Sequence, residues 1–270
     1  MLTQLTQPKA LLRGIALTRD QARRAMLAMI MVLAAILRLN GRNWDQSQYL
    51  HPDERFMTMV ATGIKWPSSL GMYFDSANSP LNPYNRQFGS FVYGTFPLFL
   101  GKLAGTLTNQ NVYGNFHLSG RLLSALFDLG TVLLVYAVAT RLFGATAGLL
   151  GSLLMACSVL NIQSAHFFTS DSFVTMFCIA VFFVALRCHD RGRWWEYLAL
   201  GVVAGLAVSS KLSALPIVGV LALPAAETLR LSGWRSLRRS SRPRALAPLL
   251  GTLLAGIGAL WTFRIAQPYA

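Results

Sequence analysis

The chain has 270 residues, 54% of them hydrophobic and only 13% charged, with a mean hydropathy of +0.46, where soluble domains carry about 25% charged residues. That balance excludes a soluble enzyme and a disordered tail, and it predicts an all-α integral membrane protein. The 24 Lys and Arg against 10 Asp and Glu give a net charge of +14, but the arginines fall in short clusters between apolar runs, which marks cytoplasmic loops rather than a nucleic-acid surface.

Residues 1–24, with Lys9, Arg13, Arg19, Arg23 and Arg24, form a basic cytoplasmic segment ahead of the first apolar run, 25–39. Arg38 and Asn40-Gly41-Arg42 stand where a cleaved signal peptide needs small residues, so this run is expected to persist as a helix. Further runs at 118–140, 145–163, 172–187, 194–209, 212–229 and 245–263 predict a bundle of about seven transmembrane helices. The 36 residues of 194–229 would make one helix of about 54 Å, too long for a single crossing, and must turn near Ser209-Ser210-Lys211. In this register Arg141, Arg187, Arg191, Arg193 and a basic loop over 230–244 lie inside. The loop 41–117, the turn 161–171, Lys211 and Gln267-Pro268-Tyr269 all meet outside. Residues 25–270 then form one membrane module, expected to be the N-terminal part of a longer chain. Cys157, Cys178 and Cys188 sit in or beside apolar runs as packing residues, and Gly201 with Gly205 reads as a close helix contact rather than a nucleotide-binding turn.

The outer loop contains His51-Pro52-Asp53-Glu54-Arg55-Phe56, with Met57, Val60 and Ile64 following at helical spacing. Proline at a first helical position and acids in the first turn predict an amphipathic helix from Pro52 lying along the membrane surface. The wheel puts Asp53 on the apolar stripe with Phe56, Met57, Val60 and Ile64, and Glu54 on the wetter side with Thr58 and Lys65. Two accounts stay open: acids that complement a helix N-terminus, or Asp53 held in a cleft as a base. On the second span Arg121, Ser124, Asp128 and Thr131 form one polar face, either packing between helices or lining a cavity. Thr169 or Ser170 is a candidate N-cap with Asp171 in the first turn. Lys211 and Arg264 end apolar runs outside, where they either snorkel or hold a lipid phosphate. His117 and His189 read as interfacial residues.

These residues resemble the GT-C superfamily of membrane glycosyltransferases, which includes protein O-mannosyltransferases and lipid A aminoarabinose transferases. Asp53-Glu54 is similar to the family's acidic pair in the first outer loop, and Tyr93-Gly94-Thr95-Phe96-Pro97-Leu98 to the proline-containing juxtamembrane segment after it, without the Lys-Pro-Pro form of the aminoarabinose transferases. Gly120-Arg121-Leu122, Ser170-Asp171, and Gly205-Leu206-Ala207 with Lys211 also resemble family positions. The resemblance implies inverting transfer of a sugar from a polyprenyl-phosphate donor to a protein, lipid or glycan acceptor on the outer side of the cytoplasmic membrane. It implies Asp53 as base, Glu54 and Asp171 as further carboxylates, and Arg121, Lys211, Arg264 and His166 as substrate-binding groups. A divalent metal on Asp53, Glu54 or His166 is possible, but no spacing demands one. The competing class is a transporter or channel, in which Arg121, Asp128 and Lys211 would line a path near midplane. A non-catalytic scaffold is the third.

Overall fold

The computed structural model describes residues 18–232 and 243–270, so most of the 1–24 segment and of the 230–244 loop lies outside the described residues. The described residues are helical without strands. Helix α1 (Arg19–Leu39) opens on a capping box in which Thr18 and Gln21 satisfy one another's backbone N–H groups. The 41–117 loop holds α2 (Pro52–Gly63), the short α3 (Leu70–Phe74), a 3₁₀ turn (Pro83–Arg86) and α4 (Thr95–Leu107). The bundle continues with α5 (Phe116–Phe143), α6 (Ala145–Ala156), α7 (Val159–Ala165), α8 (Asp171–Arg191) and α9 (Trp194–Ser210). A 3₁₀ stretch (Leu212–Ala222) leads into α10 (Leu223–Ser232), and α11 (Pro243–Ala266) closes the described chain.

Among the described residues three helices are long and apolar enough to cross a bilayer: α5, α8 and the 248–266 part of α11. A fourth crossing follows if α6 and α7, bent by 58° at 157–158, act as one span. The expected count of seven is thus met only in part. The 145–163 run breaks because the Arg38 guanidinium donates to the carbonyls of Ala156 at 2.9 Å and Met155 at 3.1 Å, satisfying the groups that a helix end leaves open. The 212–229 run begins as 3₁₀ because Pro216 inside it lacks an N–H and crowds the preceding turn. Helix α1 keeps too many charges, at Arg19, Asp20, Arg23, Arg24 and Arg38, to read as a plain apolar span. The predicted turn near Lys211 is where α9 stops.

Helix α9 packs along both α8 and α11, α8 along α5, and α5 along α6, with α1 resting on α5 and α6. Gly201 and Gly205 bring α9 and α11 into close contact: a Cβ on Gly205 would sit 2.7 Å from the Ala259 carbonyl oxygen, and one on Gly201 would run into that of Ala255. Two helices can lie this near only through such small residues. One end of the bundle gathers Arg141, bonded to Asp190, and Arg187, bonded to Glu196 at 3.0 Å. At the other, the C-terminal ends of α1, α9 and α11 meet the N-terminal ends of α5 and α8. His166 bonds the Asn40 carbonyl there, Thr95 that of Ala266, and the N–H of Gly94 donates to the Ser210 carbonyl at 3.2 Å. The 41–117 loop covers this end by burying Met57, Val60, Ala61 and Ile64 against Leu98, Phe116 and Phe168.

Candidate active site

The predicted helix from Pro52 forms where expected, and its apolar stripe holds at Met57, Val60 and Ile64, all buried, but the two acids are exchanged: Glu54 is wholly buried, with Thr58 beside it, whereas Asp53 is half-buried. The reason is Arg121. Its Nε donates to Glu54 Oε1 at 2.7 Å, and its Nη2 to Glu54 Oε2 at 2.6 Å and to Asp45 Oδ2 at 2.8 Å. Its Nη1 donates to Asp45 Oδ1 at 3.0 Å and to the Arg42 carbonyl at 2.6 Å. All five guanidinium N–H groups are therefore engaged inside the chain. Glu54 Oε1 accepts once more, from the Phe168 N–H at 2.8 Å. Burial pushes the Asp45 carboxyl up, but the hydrogen bonds and charge of Arg121 outweigh it and hold Asp45 below its ordinary range. A hydrophobicity wheel misplaces Glu54 because it prices a carboxylate without its partner.

Beside this closed cluster lies an open one. Lys211, at the tip of α9, places Nζ 2.7 Å from Asp171 Oδ1 at the head of α8. Their side chains are 36% and 46% exposed, so a ligand can reach both. Ser170 takes the N-cap position of α8 without a side-chain cap bond, and its hydroxyl is buried without a partner. Tyr93 lies near Asp53 and Asp171; burial first, then these two carboxylates, push its phenol up to about 12. Tyr93 is held there by its neighbour, because a Cβ on Gly94 would run into the backbone of Ser209 and Ser210. Gly94→Ala is expected to push the 93–95 segment off α9 and to lower both thermal stability and activity. A wild-type melting temperature and rate would show that the segment yields easily.

The other predicted site residues stand apart. His166 has Nδ1 on the Ile162 carbonyl and Nε2 on that of Asn40, both at 2.8 Å. Arg264 bonds the Pro268 carbonyl and lies 6.0 Å from the Phe74 ring centroid. Among the described residues no group of three or more His, Cys, Asp or Glu is gathered to hold a metal ion. Glu54 and His166 direct their ligand atoms at Arg121 and at carbonyls, so they do not fit the expected metal set. The polar face on α5 is buried as one stripe, yet its charges part company: Arg121 joins the outer loop, while Asp128 pairs with Arg38 of α1 and accepts from Asn161 at 3.3 Å. His117 is fully buried, with Nε2 2.9 Å from Asn43 Oδ1, rather than interfacial. Sequence reasoning missed Asp45, Tyr93 and Arg38. The signal for Arg38 and Asp128 was one isolated charge of each sign inside apolar runs; Asp45 and Tyr93 sit in irregular loop with no periodicity to point at them.

Apolar helices of spanning length, with carboxylates and a lysine gathered at their shared end, have the architecture of a membrane glycosyltransferase of the GT-C type. Residues 107–257, more than half of the chain, match the family described as dolichyl-phosphate-mannose-protein mannosyltransferase, and the chain belongs to that family. The matched stretch contains Arg121, His166, Asp171 and Lys211; Asp53, Glu54 and Arg264 lie outside it. No curated protein matches the chain.

Proposed function

We propose that the protein moves a sugar from a polyprenyl-phosphate donor to an acceptor hydroxyl of a protein, lipid or glycan on the outer side of the cytoplasmic membrane, with inversion. The observation that carries this reading is the division of the acid pair: Glu54 is closed on Arg121, while Asp53 stays half-buried beside Tyr93, whose phenol also feels Asp171, the partner of Lys211. The acceptor hydroxyl gives its proton to Asp53 and attacks the anomeric carbon from the face opposite the phosphate. The bond from that carbon to the phosphate oxygen breaks, and positive charge builds on the sugar as in glycoside hydrolysis. The lipid phosphate leaves with the electron pair, its charge met by Lys211. Asp171 holds Lys211 in place, and Glu54 with Arg121 positions α2.

The donor's lipid chain fits an open apolar groove of about 460 Å³ lined by Trp66, Tyr73, Phe99, Leu103 and Ile265. Arg264, the neighbour of Ile265, supplies a second cation beside it. The family description names mannose as the transferred sugar. The positive-inside placement of the basic loops is our ground for reading seven crossings, with the Arg141 end inside and the Lys211 end outside. Transport through a charged path is disfavoured because Arg121 and Asp128 are already paired within the bundle.

The test uses the full-length protein in proteoliposomes with polyprenyl-phosphate mannose, following release of polyprenyl phosphate. Wild type is expected to release it, and Lys211→Met to raise the donor KM more than it lowers kcat, since the lysine grips phosphate in ground and transition states alike. No donor binding by the wild type would overturn the reading in favour of transport.

A further inference from the structure

We propose that the cavity between the 83–95 segment and the ends of α9 and α11 is an acceptor subsite for a neutral sugar ring, so that the acceptor hydroxyl belongs to a glycan. This rests on the reading of the protein as a sugar transferase. Two cavities lie back to back at this end of the bundle. The apolar groove assigned to the donor's lipid has Phe96 and Ala266 in its wall. The second cavity, of about 390 Å³, is walled by their chain neighbours Thr95 and Gln267. That partition is tied down, since the Thr95 hydroxyl donates to the Ala266 carbonyl at 2.6 Å and the Gly94 N–H to the Ser210 carbonyl at 3.2 Å. With the lipid in the groove, the second cavity is left for the other substrate, and its size is that of a small-molecule site. It also adjoins the open cluster: Leu212, the residue after Lys211, lines it, and so does Tyr93.

The lining is that of a sugar site. Tyr84, Phe91, Tyr93 and Tyr269 contribute rings, and no charged side chain lines the cavity. The Tyr84 hydroxyl donates to the Phe91 carbonyl at 2.9 Å and that of Tyr269 lies 2.8 Å from the Ser79 hydroxyl, so these two rings are pinned by their polar ends. An aromatic face carries partial negative charge and attracts the C–H edge of a sugar ring. Gln267 supplies the polar handle. Its Oε1 accepts from both the N–H and the hydroxyl of Thr95, which fixes the amide, and its NH₂ has no acceptor among the described residues. Two donors are thereby left for sugar hydroxyls. An anionic acceptor would ask for a cation in the lining. An extended peptide would ask for a strand edge or a row of backbone donors, but the described residues form no strand, and the N–H groups of Gly94 and Thr95 are already used. The family description names a protein as acceptor, which makes a peptide the competing occupant.

The experiment uses the same proteoliposome assay with polyprenyl-phosphate mannose as donor, and offers methyl α-mannoside, methyl β-glucoside or a neutral serine-containing hexapeptide as acceptor. Wild type is expected to glycosylate a methyl glycoside in preference to the peptide. Tyr84→Ala, at an exposed ring, should raise the glycoside KM roughly three- to tenfold, the effect of one aromatic contact, with the donor KM unmoved. Tyr84→Trp, which keeps a ring, should restore it. Trp66→Ala in the lipid groove should show the reverse pattern, a raised donor KM with the glycoside KM unmoved. Val92 is exposed and lines the cavity, so Val92→Trp should raise the glycoside KM by obstruction, and it keeps the test open if Tyr84→Ala folds poorly. Transfer to the peptide but to neither glycoside would overturn the sugar subsite, as would a glycoside KM unmoved by both Tyr84→Ala and Val92→Trp. A wild type that binds donor and glycosylates none of the three acceptors would overturn it equally, whereas a wild type that binds no donor would remove the underlying reading.

Discussion

Asp53→Asn in the full-length protein is expected to abolish sugar transfer while leaving the protein folded and membrane-inserted. The amide is nearly isosteric, and Asp53 is half-buried rather than sealed in. The missing function is proton acceptance. General-base catalysis contributes about 10² to 10⁴ fold, or roughly 3 to 5 kcal/mol of barrier. The measurement is release of polyprenyl phosphate under saturating donor, with thermal unfolding as the control for folding. Turnover like that of the wild type would remove Asp53 from the role of base and turn attention to Asp171, the other reachable carboxylate at this end.

Arg121→Met is expected to act in the opposite way, through stability first. It strips the only cation bonded to two buried carboxylates, Asp45 and Glu54, whose side chains have no exposure, and leaves the Arg42 carbonyl without its donor. Breaking a buried ion pair by removing one partner costs about 3 to 5 kcal/mol, a large share of a total that is only about 5 to 15 kcal/mol. For a chain of this size the apparent melting temperature should fall by on the order of 10 °C. Glu54→Gln should cost less, because the Asp45 pair survives and the amide oxygen can still accept from the Phe168 N–H. Intrinsic tryptophan fluorescence in lipid nanodiscs reads both. The sign of the pH dependence follows from Asp45: its depressed titration means that its share of stability is full above the ordinary carboxylate range and is lost as pH falls through the folded value. An Arg121→Met protein that melts like the wild type but no longer binds donor would restore Arg121 to the phosphate.

Much of this end of the molecule was legible in the chain. Pro52 with two acids behind it announces a helix start, and α2 begins there. The spacing of Arg121, Ser124, Asp128 and Thr131 marks a buried stripe, and all four are buried. Lys211 interrupts an apolar run too long for one crossing, and α9 ends beside it. The pairing of Lys211 with Asp171 was not legible: 40 residues and two helices separate them, and either alone reads as an ordinary helix-end charge. The break at 157–158 was equally hidden, since the arginine that donates to its open carbonyls comes from α1.

By itself the sequence determined the helical class, the order and approximate ends of the apolar segments, and the end of the bundle at which acids and cations would meet. Those properties are local: hydrophobic runs, proline positions and charge placement act within a few turns of chain. Which acid of the Asp53-Glu54 pair is buried was decided only in the tertiary structure. Adjacent residues on a helix point about 100° apart, so a single neighbour supplies a cation to one and not to the other. Arg121 turns Glu54 inward, satisfies its charge together with that of Asp45, and leaves Asp53 half-buried on the neighbouring side of the helix, near Tyr93. A buried charge is tolerated only with its partner in place, and the partner's location depends on how the distant helices pack.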